Sequence, residues 1–169
     1  VIRRTRMPSD WGVEVGMLAE VYRVSPTKSI CQVDMADCYD HKHQDLSSRD
    51  AAKGLNKMAM DIVKCVFRSL AGHGVKLDRG TFDTLLSTYI LTAEDTMRFY
   101  AADAEINGLK YDRHEEKVSV TMFVDSIRAA ARDFLRDPLG DPLIPNWDRV
   151  DAALPTFLPD LLAAVQIDN

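Results

Sequence analysis

Two histidines, four aspartates and two cysteines fall within the seventeen residues "ICQVDMADCYDHKHQDL", Ile30 to Leu46. Imidazole, carboxylate and thiolate are the common metal-ligating groups. In an extended segment, side chains two apart share a face, so His41 and His43 of "YDHKHQ" can present two imidazoles to one ion. Asp34, Asp37 and Asp40 are near enough in sequence to add oxygen ligands. The competing reading is a solvated polar loop with incidental histidines, and spacing alone leaves both open. Cys31 and Cys38 lie outside C-x2-C spacing, which argues against a structural zinc.

Glu14 is the second chemical candidate, set within the otherwise apolar "WGVEVGML". A carboxylate there is either directed into a site or placed to complement the dipole at a helix start. Trp11 and Gly12 just before it offer an aromatic wall and close backbone approach. Elsewhere the plainer readings prevail: "RHEEK" opens a helix, His73 between two glycines belongs to a helix end, and "NKMAMDIVK" fills a core. Phosphate loops, dinucleotide-binding turns and nucleophile elbows are absent from the sequence.

The elements that position these groups follow from periodicity. "PSDWGVEVGMLAEVYRV" reads as a helix with Ser9 or Asp10 as its N-cap and Pro26 beyond its end. "KSICQVDMA" reads as a short strand, followed by a loop over Asp37 to Arg49. A helix then carries Leu55, Met58, Ile62, Val66 and Leu70 on one stripe and stops near Gly72 and Gly74. A second runs from about Arg79 to Asn107, with Phe82, Leu85, Leu86, Tyr89, Ile90, Ala93, Met97 and Tyr100 on its apolar side. A third spans about Arg113 to Arg136. "RDPLGDPLIPNWD" is a proline-interrupted loop, leading to a short helix from Trp147 and a last one near Leu158 to Val165. The fold class expected is mostly α with a small β contribution.

The 169 residues fit one domain, and 46% hydrophobic with 28% charged residues is ordinary globular composition. A formal net charge of -5 argues against general nucleic-acid binding. No apolar run approaches the roughly 18 residues of a membrane-spanning helix, and no apolar segment follows the basic start "VIRRTRMPSDWG", so neither membrane nor secretory signal is expected. Three cysteines, an odd and sparse set, suit a reducing cytoplasm.

The order of motifs carries a resemblance. "PSDWGVEVGMLAEVYR", then "ICQVDMADCYDHKHQ", then a long helical tail containing "NGLKYDRHEEK" and "IPNWDRV", resembles the C-terminal half of glucosyl-3-phosphoglycerate synthases, retaining glycosyltransferases of the GT-A class. That family shares an aromatic-Gly-(Val/Leu)-Glu-(Ile/Val)-Gly helix start and a Q-V strand leading to a loop with a metal-binding histidine. The resemblance implies the C-terminal part of an α/β GT-A fold over residues 1-49 and an α-helical, oligomerising region over residues 50-169. It implies transfer of glucose from a nucleotide-glucose, usually UDP-glucose, to D-3-phosphoglycerate with Mg2+ or another divalent cation such as Mn2+. On matching positions His41 is the metal ligand, His43 contacts the acceptor or diphosphate, Glu14 lies beside the donor sugar, and Trp11 and Gly12 line its pocket. The loop is one residue longer than in some relatives, so the two histidines can exchange roles. The family's D-x-D motif belongs to an N-terminal GT-A half upstream, and "DMAD" is spaced D-x-x-D. This chain is therefore expected to depend on that half as its partner, to be inactive without it, and to form a homodimer. A related transferase using GDP-mannose or unphosphorylated glycerate is the enzymatic alternative, and a non-catalytic helical dimerisation fragment is the other.

Overall fold

A computed structural model describes residues 2-34 and 54-168, and six α-helices account for most of them. The chain divides into two compact units, one formed by Val1–Asp37 with Asp141–Asn169 and the other by Cys38–Gly140.

In the first unit, helix α1 (Val13–Val24) starts with Gly12 as N-cap residue. Asp10 precedes it and turns the chain, its Oδ1 accepting from the Gly12 N–H at 2.9 Å. Ser25 donates the last helical bond, to the Val21 carbonyl at 2.9 Å. Pro26 then forbids continuation, since the residue before a proline is pushed out of the helical region. Ser25 is accordingly extended, at φ -118° and ψ 136°. A single 3-10 turn, Thr27–Ser29, follows.

The expected strand does not form among the described residues. Ile30 is extended, at φ -104° and ψ 127°, but residues 30-34 are unpaired. Extended backbone needs a neighbouring strand to satisfy its N–H and C=O groups; the Ile30 N–H instead bonds back to the Thr27 carbonyl at 3.0 Å, and no ladder joins residues 30-34 to the other described residues. Among the described residues the β contribution reduces to one isolated antiparallel bridge, Met7 with Ile144, in which the Ile144 N–H donates to the Met7 carbonyl at 2.8 Å.

The same unit contains helices α5 (Trp147–Ala153) and α6 (Phe157–Asp168). Asn146 caps α5 by accepting from the Arg149 N–H at 2.9 Å. Trp147 and Phe157 pack with ring centroids 5.9 Å apart, and the two helices bend by 102° at their junction. Among the described residues no single helix is long and apolar enough to cross a membrane.

The second unit is a three-helix arrangement in which α2 (Gly54–Gly72) and α3 (Arg79–Ile106) both pack on α4 (Arg113–Arg136). Its centre is three phenylalanines, one per helix. Phe67 and Phe82 lie 4.8 Å apart, Phe67 and Phe134 6.0 Å, and Phe82 and Phe134 5.9 Å. The tilted and edge-on geometry is the one favoured by the ring quadrupole. Ala130 and Ala131, both buried, leave room on α4 for its neighbours to approach.

On α2 the buried stripe differs from the periodic one read in the sequence. Met60, Val63 and Phe67 face the core, whereas Val66 and Leu70 are exposed and Leu55, Met58 and Ile62 half-buried. The helix has two apolar stripes, and the one carrying the large Phe67 ring docks. Asp61, fully buried, is held by Lys57 Nζ at 2.6 Å and Lys64 Nζ at 3.0 Å. Burial pushes its carboxyl pKa up, but the two ammonium groups outweigh that and hold it below the ordinary range.

Both inter-helix turns use glycine in the left-handed region. Gly74 (φ 86°) follows α2, with the Val75 N–H reaching the Leu70 carbonyl at 3.1 Å; Gly108 (φ 64°) follows α3, with the Leu109 N–H reaching the Ala104 carbonyl at 2.8 Å. These six-to-one bonds satisfy the last carbonyls of each helix. Asp78 and Asp112 then cap the next helices, Asp112 accepting from the His114 and Glu115 N–H groups at 2.8 and 3.1 Å. Of the apolar side expected along α3, Phe82 is buried, Leu85, Leu86, Tyr89, Ile90, Ala93 and Met97 are half-buried, and contact with the phenylalanine cluster is made by the first half of the helix. Tyr100 is 60% exposed.

Candidate functional site

The start of α1 brings three of the sequence-selected residues together. Trp11 lies in the turn before the helix, Gly12 is its N-cap residue, and Glu14 is in its first turn. Gly12 is buried, whereas Trp11 and Glu14 are exposed. At helical spacing Glu14, Leu18 and Tyr22 share one face with the preceding Trp11, and all four are exposed. This stripe combines two aromatic rings, an aliphatic side chain and a carboxylate. Such a set can stack on the apolar face of a sugar ring and accept hydrogen bonds from its hydroxyls.

The opposite face of α1 explains why this stripe is held in place. Gly12, Gly16 and Glu20, four residues apart, are all buried. Glu20 is the anchor, and sequence reasoning did not single it out. Its carboxylate accepts from Arg6 (Nη2 to Oε1 at 2.7 Å, Nε to Oε2 at 3.1 Å) and from Arg23 (Nε to Oε1 and Nη2 to Oε2, both at 2.9 Å). The Arg23 and Arg6 guanidiniums hold the Glu20 carboxyl down to about 2, against the opposing effect of burial. Two bidentate pairs on one carboxylate fix its geometry as well as its charge. The signals present in the sequence were the Gly12-Gly16-Glu20 spacing and the arginine three residues beyond Glu20.

Further ion pairs tie the segment before α1 to α5. Arg3 meets Asp148 at 3.1 Å and Asp151 at 3.0 Å, and Arg4 meets Asp148 at 3.4 Å. These pairs are exposed and individually weak, but with the Met7–Ile144 bridge they fix the approach to Trp11. "IPNWDRV" thus has a structural task, with Asn146 capping α5, Trp147 packing and Asp148 pairing with the two arginines.

His41 and His43 lie outside the described residues. Among those described, no group of three or more His, Cys, Asp or Glu residues is arranged to hold a metal ion; Cys31 and Asp34 are both exposed. The described residues alone do not make a divalent-cation site.

Comparison with known proteins adds what the geometry does not. No family model matches the chain, and no solved structure matches it. Two curated relatives match nearly all of it. One, named glucosyl-3-phosphoglycerate synthase, from Persephonella marina, is 45% identical over 167 residues, covering 99% of this chain and 41% of that protein. Another of the same name, from Methanococcoides burtonii, is 42% identical over 164 residues, covering 96% of this chain and 40% of that protein. The chain therefore spans about two fifths of the length of the curated relatives it matches.

Proposed function

We propose that this chain is the C-terminal, acceptor- and metal-side portion of a glucosyl-3-phosphoglycerate synthase, a retaining GT-A glycosyltransferase. The observation that carries the reading is identity of 42% and 45%, over nearly the whole chain, to two proteins of that name. The exposed Trp11–Glu14 stripe supports it, because a sugar-transferring site needs an aromatic surface and a carboxylate beside the ring.

In the proposed reaction the bond between glucose C1 and the nucleotide diphosphate breaks. A bond forms between C1 and the 2-oxygen of D-3-phosphoglycerate, whose hydroxyl proton leaves. Glu14 accepts hydrogen bonds from the donor sugar and Trp11 walls its pocket, while Gly12, expected beside them, lies on the buried side of the turn and acts by letting the backbone approach closely. His41 is the proposed ligand of a divalent cation, Mg2+ or Mn2+, and His43 contacts the acceptor or the diphosphate. When bound, the cation supplies positive charge opposite the diphosphate leaving group. The donor-base contacts and D-x-D motif come from the N-terminal GT-A half. The three sparse cysteines favour the cytoplasm as its location. Related transfer from GDP-mannose, or to unphosphorylated glycerate, is the enzymatic alternative.

In the intact protein that carries this chain, His41→Ala is expected to lower metal-dependent UDP release from UDP-glucose and 3-phosphoglycerate by about two orders of magnitude. Unchanged turnover and metal affinity would move the ligand to His43 or remove it.

A second reading, compatible with the first, is that the helical region also forms a homodimer. Its support is the set of large apolar side chains left exposed from the middle of α3 to its end: Leu91 (64%), Phe99 (74%) and Ile106 (83%). Light scattering on the chain is expected to give twice the monomer mass; a monomer at all concentrations contradicts the interface.

A further inference from the structure

A groove of about 730 Å³ runs between the first half of α3 and the last half of α4. Its floor includes the buried Phe82 and Ala131, and its walls carry Arg79, Arg128, Arg132 and Arg136, with Asp83 the one carboxylate lining it. The three α4 arginines follow one another at intervals of four residues. Their Cβ atoms therefore stand about one turn, roughly 6 Å, apart along one side of α4. Counting the carboxylates that pair with Arg128 and Arg136, four guanidiniums meet three carboxylates, Asp83, Asp125 and Asp133, a local excess of positive charge in a chain whose formal net charge is -5.

The arginines also differ in what occupies them. Arg128 is oriented by Asp125 at 3.1 Å and Arg136 by Asp133 at 3.1 Å, each pair lying on α4 itself. Arg79 and Arg132 have no ion-pair partner among the described residues. A guanidinium carries five donors in a planar fork, so even the paired arginines retain donors for a ligand. The low-dielectric floor concentrates the field of the charges above it. A groove of this size lies in the range of small-molecule sites. Guanidiniums one turn apart can each take one end of a short phosphoryl chain, and bidentate geometry suits phosphoryl oxygens.

We propose that the α3–α4 groove is a binding site for a compact oligophosphate anion, held by Arg79 and Arg132 with Arg128 and Arg136 completing the walls. Isothermal titration of the 169-residue chain with inorganic tripolyphosphate tests it. Saturable binding is expected, weakening about tenfold in Arg132→Ala and further in the Arg79→Ala/Arg132→Ala double variant, each loss matching a charge-assisted hydrogen bond. Arg149→Ala, an equal loss of charge on α5, is expected to bind as the parent does. Citrate, a compact tricarboxylate, is expected to bind about tenfold more weakly than tripolyphosphate. Amide chemical shifts of the parent chain give a readout independent of any variant's folding, and perturbation centred on Phe82 and Ala131 is expected. No saturable binding, an equal loss in Arg149→Ala, citrate binding as tightly, or shifts centred outside the groove each overturn the proposal.

Discussion

Glu14 and Glu20 stand six residues apart on one short helix and face opposite environments. Glu14 is exposed, whereas Glu20 is buried between two guanidiniums. The folded pKa of Glu20, about 2, lies below its ordinary value of 4.5. Its contribution to stability is therefore complete above 4.5 and is lost as the pH falls toward 2. Glu20→Gln, which keeps the shape and removes the charge, is expected to cost about 1–3 kcal/mol at neutral pH. Urea unfolding of the two proteins at several pH values checks this: the difference should shrink below about pH 4.5, and a constant difference would contradict the assignment. Only part of this was legible in the sequence. A carboxylate amid apolar residues announces Glu14, but the burial of Glu20 depends on Arg6, fourteen positions away.

At the scale of elements, local chemistry fixed the helix ends well. Pro26, Gly74, Gly108, Asp112 and Asn146 act through their own backbone geometry or a neighbouring N–H, and such signals are contained within a few residues. The buried stripe of α2 was not legible, because two apolar stripes satisfy the same 3.6-residue period and only the partners decide between them. The phenylalanine cluster makes that decision. Phe67→Ala is expected to destabilise the helical unit by about 3–5 kcal/mol, whereas Val66→Ala, one position along but exposed, should cost much less. Comparable losses for the two in denaturant unfolding would show that the cluster does not organise the unit. The strand failed for a related reason. Ile30 is extended, but a strand is a pairing, and pairing depends on residues distant in sequence.

For the molecule as a whole, the reading rests on a chain that spans about two fifths of its relatives' length. The order of the "DWGVEVG" helix start, the histidine-bearing segment and the helical tail was the feature of the sequence that pointed to those relatives. Composition and periodicity alone yielded only a helical globular protein. The proposed division of labour assigns sugar contact to the Trp11–Glu14 stripe, metal contact to His41 and donor-base recognition to the N-terminal half.

The most direct test of that claim is UDP release by the intact protein that carries this chain, followed with the donor and acceptor varied separately. UDP release from UDP-glucose is expected to depend on both D-3-phosphoglycerate and Mg2+, with glucosyl-3-phosphoglycerate as product. Absence of release with or without Mg2+ would contradict it, and release only with GDP-mannose or with unphosphorylated glycerate would assign the chain to a different transferase.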